Sequence, residues 1–190
     1  MFLVKKAEKL MRIKFAGRPN LIEHTLKVAE KSLEIARDLR RKGINVDIEL
    51  VLTGALLHDI GRTVTHDVKH GFEGGKIVRN LGFPESIARI VERHVGAGIT
   101  AEEAKKLGLP AIDFVPETIE EKIVCYADKF VETVFHFRTK NGEQVVERRE
   151  VVFETIEPTI KKFIKIFGED SPVVSRLISL KNEMEKLLRS

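Results

Sequence analysis

Tryptophan is absent from this 190-residue chain, and tyrosine and cysteine occur once each. A single cysteine, Cys125, cannot close an internal disulfide; within its apolar stretch it reads as a small core residue and is assigned no chemistry. Long apolar runs are also missing, which excludes a membrane span. The opening Met1-Phe2-Leu3-Val4-Lys5-Lys6 lacks the apolar stretch and small-residue cleavage site of a signal peptide, so a cytoplasmic location is expected. Neither sign of charge dominates. The net charge is +4, with Lys and Glu interspersed and no basic arm, so long nucleic acid and membrane surfaces are not expected as partners. Internal repeats, low-complexity segments and convincing alternating strands are not found.

What is present is a 43% hydrophobic and 33% charged composition, too apolar for disorder. One domain over residues 1–190 is expected, and abundant Lys and Glu suit a heat-adapted organism. From Asn20 to about Lys42, Ile22, Leu26, Ala29, Leu33 and Ala36 recur at helical spacing, and Gly43 ends the run. His24 shares a second side with Leu21, Val28 and Ile35, so it faces inward. Asp47 caps a helix apolar on nearly every side up to Leu57, which Gly61 stops. Residues 62–69 read as a loop, Gly71 to Leu81 as a short helix, and Pro84 to about Val95 as another. Thr100 with Glu103 and Thr118 with Glu121 have capping-box spacing; the second pair opens a long helix carrying Ile119, Ile123, Ala127, Asp128 and Phe130. Asn141-Gly142 reads as a turn, and two more helices are expected over about 143–190, with Pro158 kinking or restarting the first and Ser171-Pro172 opening the second. The expected fold is all α.

An imidazole and a carboxylate are costly to bury unless something compensates them, and a divalent cation compensates both. His58-Asp59 closes the most apolar helix, and His24 and Asp128 lie on two other helices. These four are the expected ligands of one ion. Mixed imidazole and carboxylate ligation suits Mn, Fe, Co or Ni, with Zn or Mg less favoured.

The ordered set Glu23-His24-Thr25, Leu57-His58-Asp59-Ile60-Gly61-Arg62 and Tyr126-Ala127-Asp128-Lys129 resembles the HD superfamily of metal-dependent phosphohydrolases. The resemblance spans about residues 20–135, and the Ile-Gly extension is similar to HDIG-type, short archaeal single-domain members. It implies a helical bundle, here with additional C-terminal helices, and hydrolysis of a small phosphorylated substrate, a nucleotide above all, by metal-activated water. A phosphomonoesterase or 2′,3′-cyclic phosphodiesterase is the favoured form, and a nucleotide-binding sensor module without turnover is the alternative. His70 and His94 match the positions that hold a second ion in two-metal members, with Asp59 bridging. Val95 stands where such members often carry another polar residue, and no Gly-Tyr-Pro motif exists, which argues against cyclic-di-GMP as substrate.

Arg62, closing the His-Asp motif, and Lys129, beside Asp128, are the expected clamps on phosphoryl charge; Arg93 and Lys69 are weaker candidates. His66-Asp67 lies in a polar loop and reads as surface or pocket mouth, and His136 as surface or interface. Lys161, Lys162 and Lys165 read as a solvated face. Gly71, Gly74 and Gly75 lack the preceding strand and Lys-Ser or Lys-Thr ending of a phosphate loop and are discounted. The apolar side formed by Phe153, Ile156, Ile160, Phe163 and Ile164 fits either a homodimer surface or, preferably, packing on the bundle.

Overall fold

The computed structural model describes residues 1–140 and 143–189. The described residues form α1 (Phe2–Lys14), α2 (Pro19–Arg41), α3 (Ile48–Leu57), a 3-10 turn (Ile60–Thr63), α4 (His70–Asn80), α5 (Glu85–Arg93), α6 (Ala101–Lys106) and α7 (Ile119–Asp128). An antiparallel pair follows, β1 (Val131–Lys140) and β2 (Glu143–Val152), and then α8 (Glu157–Phe167) and α9 (Pro172–Arg189). The fold is helical, as expected.

α3 is the central element because it is apolar all round: every residue from Val51 to Leu57 is buried. It packs against α1, α2, α5 and α7. Asp47 caps it, accepting a 3.0 Å bond from the Leu50 amide. α2 buries Val28, Ala29, Ile35, Ala36 and Leu39, and both of its flanks meet protein, α3 and α7 on one hand and the strand pair on the other. The two capping boxes form as read, at Thr100 with Glu103 and at Thr118 with Glu121.

Three expectations need correction. The long helix opened by Thr118 ends at Asp128, before Phe130. The chain then enters the strand pair, whose register runs from Val131 opposite Val152 to Lys140 opposite Glu143, so residues 143–152 are strand and the first C-terminal helix begins at Glu157. The physical reason is composition: Val131, Thr133, Val134, Phe135, Phe137 and Thr139, facing Val145, Val146, Val151 and Val152, are residues that suit a pleated surface. The Asn141-Gly142 turn lies outside the described residues. Gly61 does not stop α3, which ends at Leu57 with His58 as its cap. It lies within the 3-10 turn, where a Cβ would overlap the His70 carbonyl oxygen and come within 2.6 Å of the Gly74 amide nitrogen.

The α4 glycines have the same purpose. A Cβ on Gly71 would meet Val95 at 2.7 Å, one on Gly74 would meet Val91 at 2.7 Å, and one on Gly75 would strike Glu92. α4 and α5 therefore pack nearly backbone to backbone, and Arg79 of α4 binds the buried Glu92 of α5 at 2.5 Å. Among the described residues, no helix is long and apolar enough to cross a membrane.

Candidate metal centre

His58 ends α3, and Asp59 opens the 3-10 turn that follows. Reversal of the chain there puts both side chains at the mouth of the bundle, with His58 0% and Asp59 3% exposed. His24 arrives from α2, Asp128 from the last residue of α7, His70 from the first residue of α4, and His94 from just beyond α5. The structure brings all six together.

Each imidazole is oriented by an acceptor on its Nδ1. His58 Nδ1 donates to the Ala55 carbonyl at 2.7 Å, His70 to that of Asp67 at 2.6 Å, and His94 to that of Val91 at 2.7 Å. A carbonyl only accepts, so Nδ1 carries the proton and Nε2 presents a lone pair in the neutral ring. All four Nε2 atoms then converge on one carboxylate. His24 and His58 lie 3.8 and 3.7 Å from Asp59 Oδ2, while His70 and His94 lie 3.3 and 3.5 Å from Asp59 Oδ1. Asp128 Oδ1 adds to the first group, 3.2 Å from His24 Nε2 and 3.7 Å from His58 Nε2.

The donor chemistry fits metal ions. His58 Nε2 and Asp59 Oδ1 are buried and have no hydrogen-bond partner, a cost that cations bound beside them would remove. The Nε2 atoms of His70 and His94 face each other at 3.2 Å, and two neutral rings with protonated Nδ1 atoms would oppose lone pair to lone pair there. A cation between them resolves that too. Two groupings could each hold an ion, His24 with His58 and Asp59, and Asp59 with His70 and His94.

Charge at the cluster is strongly coupled. Burial pushes the Asp59 carboxyl up, but His58, His70, His94 and Arg62 outweigh it and hold it well below the usual carboxylate range. Asp128 is likewise held well below, burial being outweighed by Lys129, His24 and His58. Burial drives His58 down to about 4 and lowers His94. His24 goes the other way, to about 10, because hydrogen bonds to Asp128 and Glu150 overcome its burial.

Glu150 is a residue that sequence reasoning missed. It sits on β2, 4% exposed, with Oε2 3.3 Å from His24 Nδ1 and Oε1 accepting from Thr133 Oγ1 at 2.6 Å. The Lys27 ammonium donates to its carbonyl. No motif marks it; only recognition of the strand pair would have placed it over α2.

The two clamp candidates are already engaged. Arg62 Nε contacts Asp59 Oδ2 at 2.7 Å, and the side chain lines the surrounding cavities. Lys129 is 5% exposed and bonds Asp128 Oδ2 at 2.6 Å and the His94 carbonyl at 3.2 Å. Arg93 pairs with Glu117 and Glu121 and lines neither cavity, nor does Lys69. His66 is exposed at the mouth of both cavities, whereas Asp67 supplies the carbonyl that orients His70. His136 is exposed on β1. Cys125 is fully buried behind the cluster, its Sγ 3.5 Å from the His94 carbonyl, and burial raises its thiol to about 11.

Two cavities open on the cluster. One, of about 490 Å³, is rimmed by Arg18, Arg62 and Arg148; the other, of about 690 Å³, runs over His70, His94, Asp128 and Lys129 toward α8. Sequence reasoning gave no sign of Arg18 or Arg148.

Comparison with known proteins gives a consistent family. The HD domain model matches residues 21–133. An uncharacterized protein of Methanocaldococcus jannaschii is 46% identical over 170 residues, 90% of each chain. A tRNA (cytidine(56)-2′-O)-methyltransferase of Thermoplasma volcanium is 44% identical over 144 residues, which are 71% of this chain but 41% of that protein. Ribonuclease Y of Chloroflexus aurantiacus is 32% identical over 111 residues, 57% of this chain and 18% of that one.

Proposed function

The chain belongs to the HD domain family, and from that premise we propose that it is a metal-dependent phosphohydrolase acting on a small nucleotide, as a phosphomonoesterase or a 2′,3′-cyclic phosphodiesterase. The observation that carries this reading is the convergence of four imidazole Nε2 atoms on the two oxygens of Asp59. His24, His58, Asp59 and Asp128 would hold a first divalent ion, and His70 and His94 with Asp59 a second. Such ions would supply Lewis-acid chemistry toward phosphoryl groups and water, with Mn, Fe, Co or Ni suited to the donor set ahead of Zn or Mg.

The chain's own residues orient and neutralise. Arg62 uses Nε on Asp59, which leaves its terminal nitrogens for a phosphoryl oxygen in the cavity that it lines. Arg18 and Arg148 lend positive charge at the rim. Lys129, committed to Asp128 and to the His94 carbonyl, is a positioning residue that ties the two ligand groups together. Cavities of this size accept a small molecule and suit a nucleotide better than a long polymer. Ribonuclease Y is matched over 18% of its length and the methyltransferase over 41%, so neither name by itself assigns chemistry to this chain, and the reading rests on the site.

The test is inorganic phosphate release from nucleoside monophosphates, and ring opening of 2′,3′-cyclic nucleotides to their 2′- or 3′-monophosphates, with Mn, Co, Ni and Mg supplied in turn. Turnover is expected with at least one ion and is expected to vanish in Asp59→Ala, whose circular dichroism stays helical. Full activity in that variant overturns the mechanism. Ion and nucleotide binding with no turnover of any substrate would favour a sensor module.

A further inference from the structure

The charged cavity has an apolar neighbour. A further cavity of about 470 Å³ is walled by Val68, Val95, Ile99, Phe163, Ile166 and Phe167, a volume within the ordinary range for small-ligand sites. It adjoins the charged cavity, since Val68, Val95, Gly96, Phe163 and Ile166 border both. Val95 directly follows the ligand-type His94, so the apolar wall begins one residue from the metal cluster. The Phe163 and Phe167 rings pack edge to face with centroids 5.6 Å apart. Polar groups on the wall are mostly committed: Glu103 binds Arg176 at 2.7 Å, and Lys106 binds Glu102 at 2.7 Å. Arg176 Nε is buried without a partner, a donor that an acceptor atom on any of the four bases can satisfy.

We infer that this cavity seats the planar base of a nucleotide whose phosphate lies at the metal cluster, holding it by ring and methyl contact without discriminating among bases. The inference rests on the phosphohydrolase reading for the position of the phosphate. The α8 part of the wall, Phe163, Ile166 and Phe167, lies beyond the segment matched by the family model. The C-terminal helices therefore supply substrate selection to a metal centre built by the rest of the chain.

The experiment is calorimetric titration of Mn-loaded protein with AMP, GMP, CMP, UMP and ribose 5-phosphate. Contact of a base with aromatic rings predicts AMP binding about tenfold or more tighter than ribose 5-phosphate, with the four nucleotides within about threefold of one another. Phe167 and Ile166 are 51% and 60% exposed, so Phe167→Ala and Ile166→Ser leave the core intact. Both are expected to weaken the nucleotides several-fold and leave ribose 5-phosphate unchanged. Equal binding of AMP and ribose 5-phosphate, strong selectivity for one base, or variants that weaken all ligands alike would overturn the inference. Phosphate release in the same series separates the two readings. Turnover of ribose 5-phosphate equal to that of AMP sinks the subsite alone, whereas nucleotides that bind more tightly than ribose 5-phosphate without release from any of them sink only the hydrolytic reading.

Discussion

The Glu150 carboxylate does for His24 what three carbonyls do for the other histidines: it fixes the ring and raises the basicity of the nitrogen aimed at the ion. Glu150→Ala is expected to weaken the first ion about 10- to 100-fold by calorimetry, with Glu150→Gln recovering part of the loss. A purely structural role would lower the melting temperature of both variants without that graded affinity. The coupled charges also set a pH profile for the metal-free protein. His58, held at about 4, stays neutral while its unfolded counterpart takes up a proton below about 6.5, so stability falls as pH drops from about 6.5 to 4. His24, raised to about 10, contributes stability that is fully present below about 6.5 and lost as pH rises to about 10. Thermal melts in chelator should therefore peak near pH 6.5, and Mn should remove the alkaline decline by replacing the proton on His24. A flat profile in chelator would contradict the assignment. The clustered histidines and acids were legible in the sequence because His58-Asp59 ends an almost wholly apolar run; Glu150 was not, because a lone acid among Glu147, Arg148 and Arg149 carries no periodic or motif signal.

At the scale of elements, the close approach of the 3-10 turn to α4 delivers His70 to Asp59. Gly61→Ala would set a methyl against the His70 carbonyl oxygen, and backbone cannot yield as a side chain can. A loss of stability on the order of 2–4 kcal/mol in denaturant titration is expected. Loss of the second ion should accompany it, since the carbonyl of His70 moves with its ring; an unchanged midpoint would show that the turn relaxes. The helices were readable from apolar period and caps, and both capping boxes formed where their spacing put them. The strand pair was not read, because Val134, Phe135, Phe137, Val145 and Val146 interrupt any simple in-out alternation. Phe135, Phe137 and Val146 are exposed there, so burial does not impose the period-two pattern that marks a half-buried strand. The Asn-Gly dipeptide between two β-branched runs was the available clue. On α8, Ile156 is buried and Ile160 and Phe163 pack on the main core, which is the bundle packing that the apolar side led one to expect.

For the whole molecule, donor residues drawn from α2, α3, α4, α7 and the end of α5 would make bound ions a cross-link of nearly the entire bundle. Binding to the folded state alone stabilises by about 2.7 kcal/mol at one hundred times the dissociation constant. For a chain of this length that is a rise of roughly 5–10 °C in melting temperature. Scanning calorimetry with Mn and then with chelator should show the rise and its reversal, and Asp59→Ala, which removes the carboxylate shared by both groupings, should show neither. The lone thiol behind His94 offers a clock for the same cross-link. Cys125 is sealed in α7, with Sγ against the His94 carbonyl, and its raised pKa keeps it as the unreactive thiol. A maleimide or disulfide reagent can reach it only during opening of the bundle, so its labelling half-life times that opening residue-specifically, without any engineered probe.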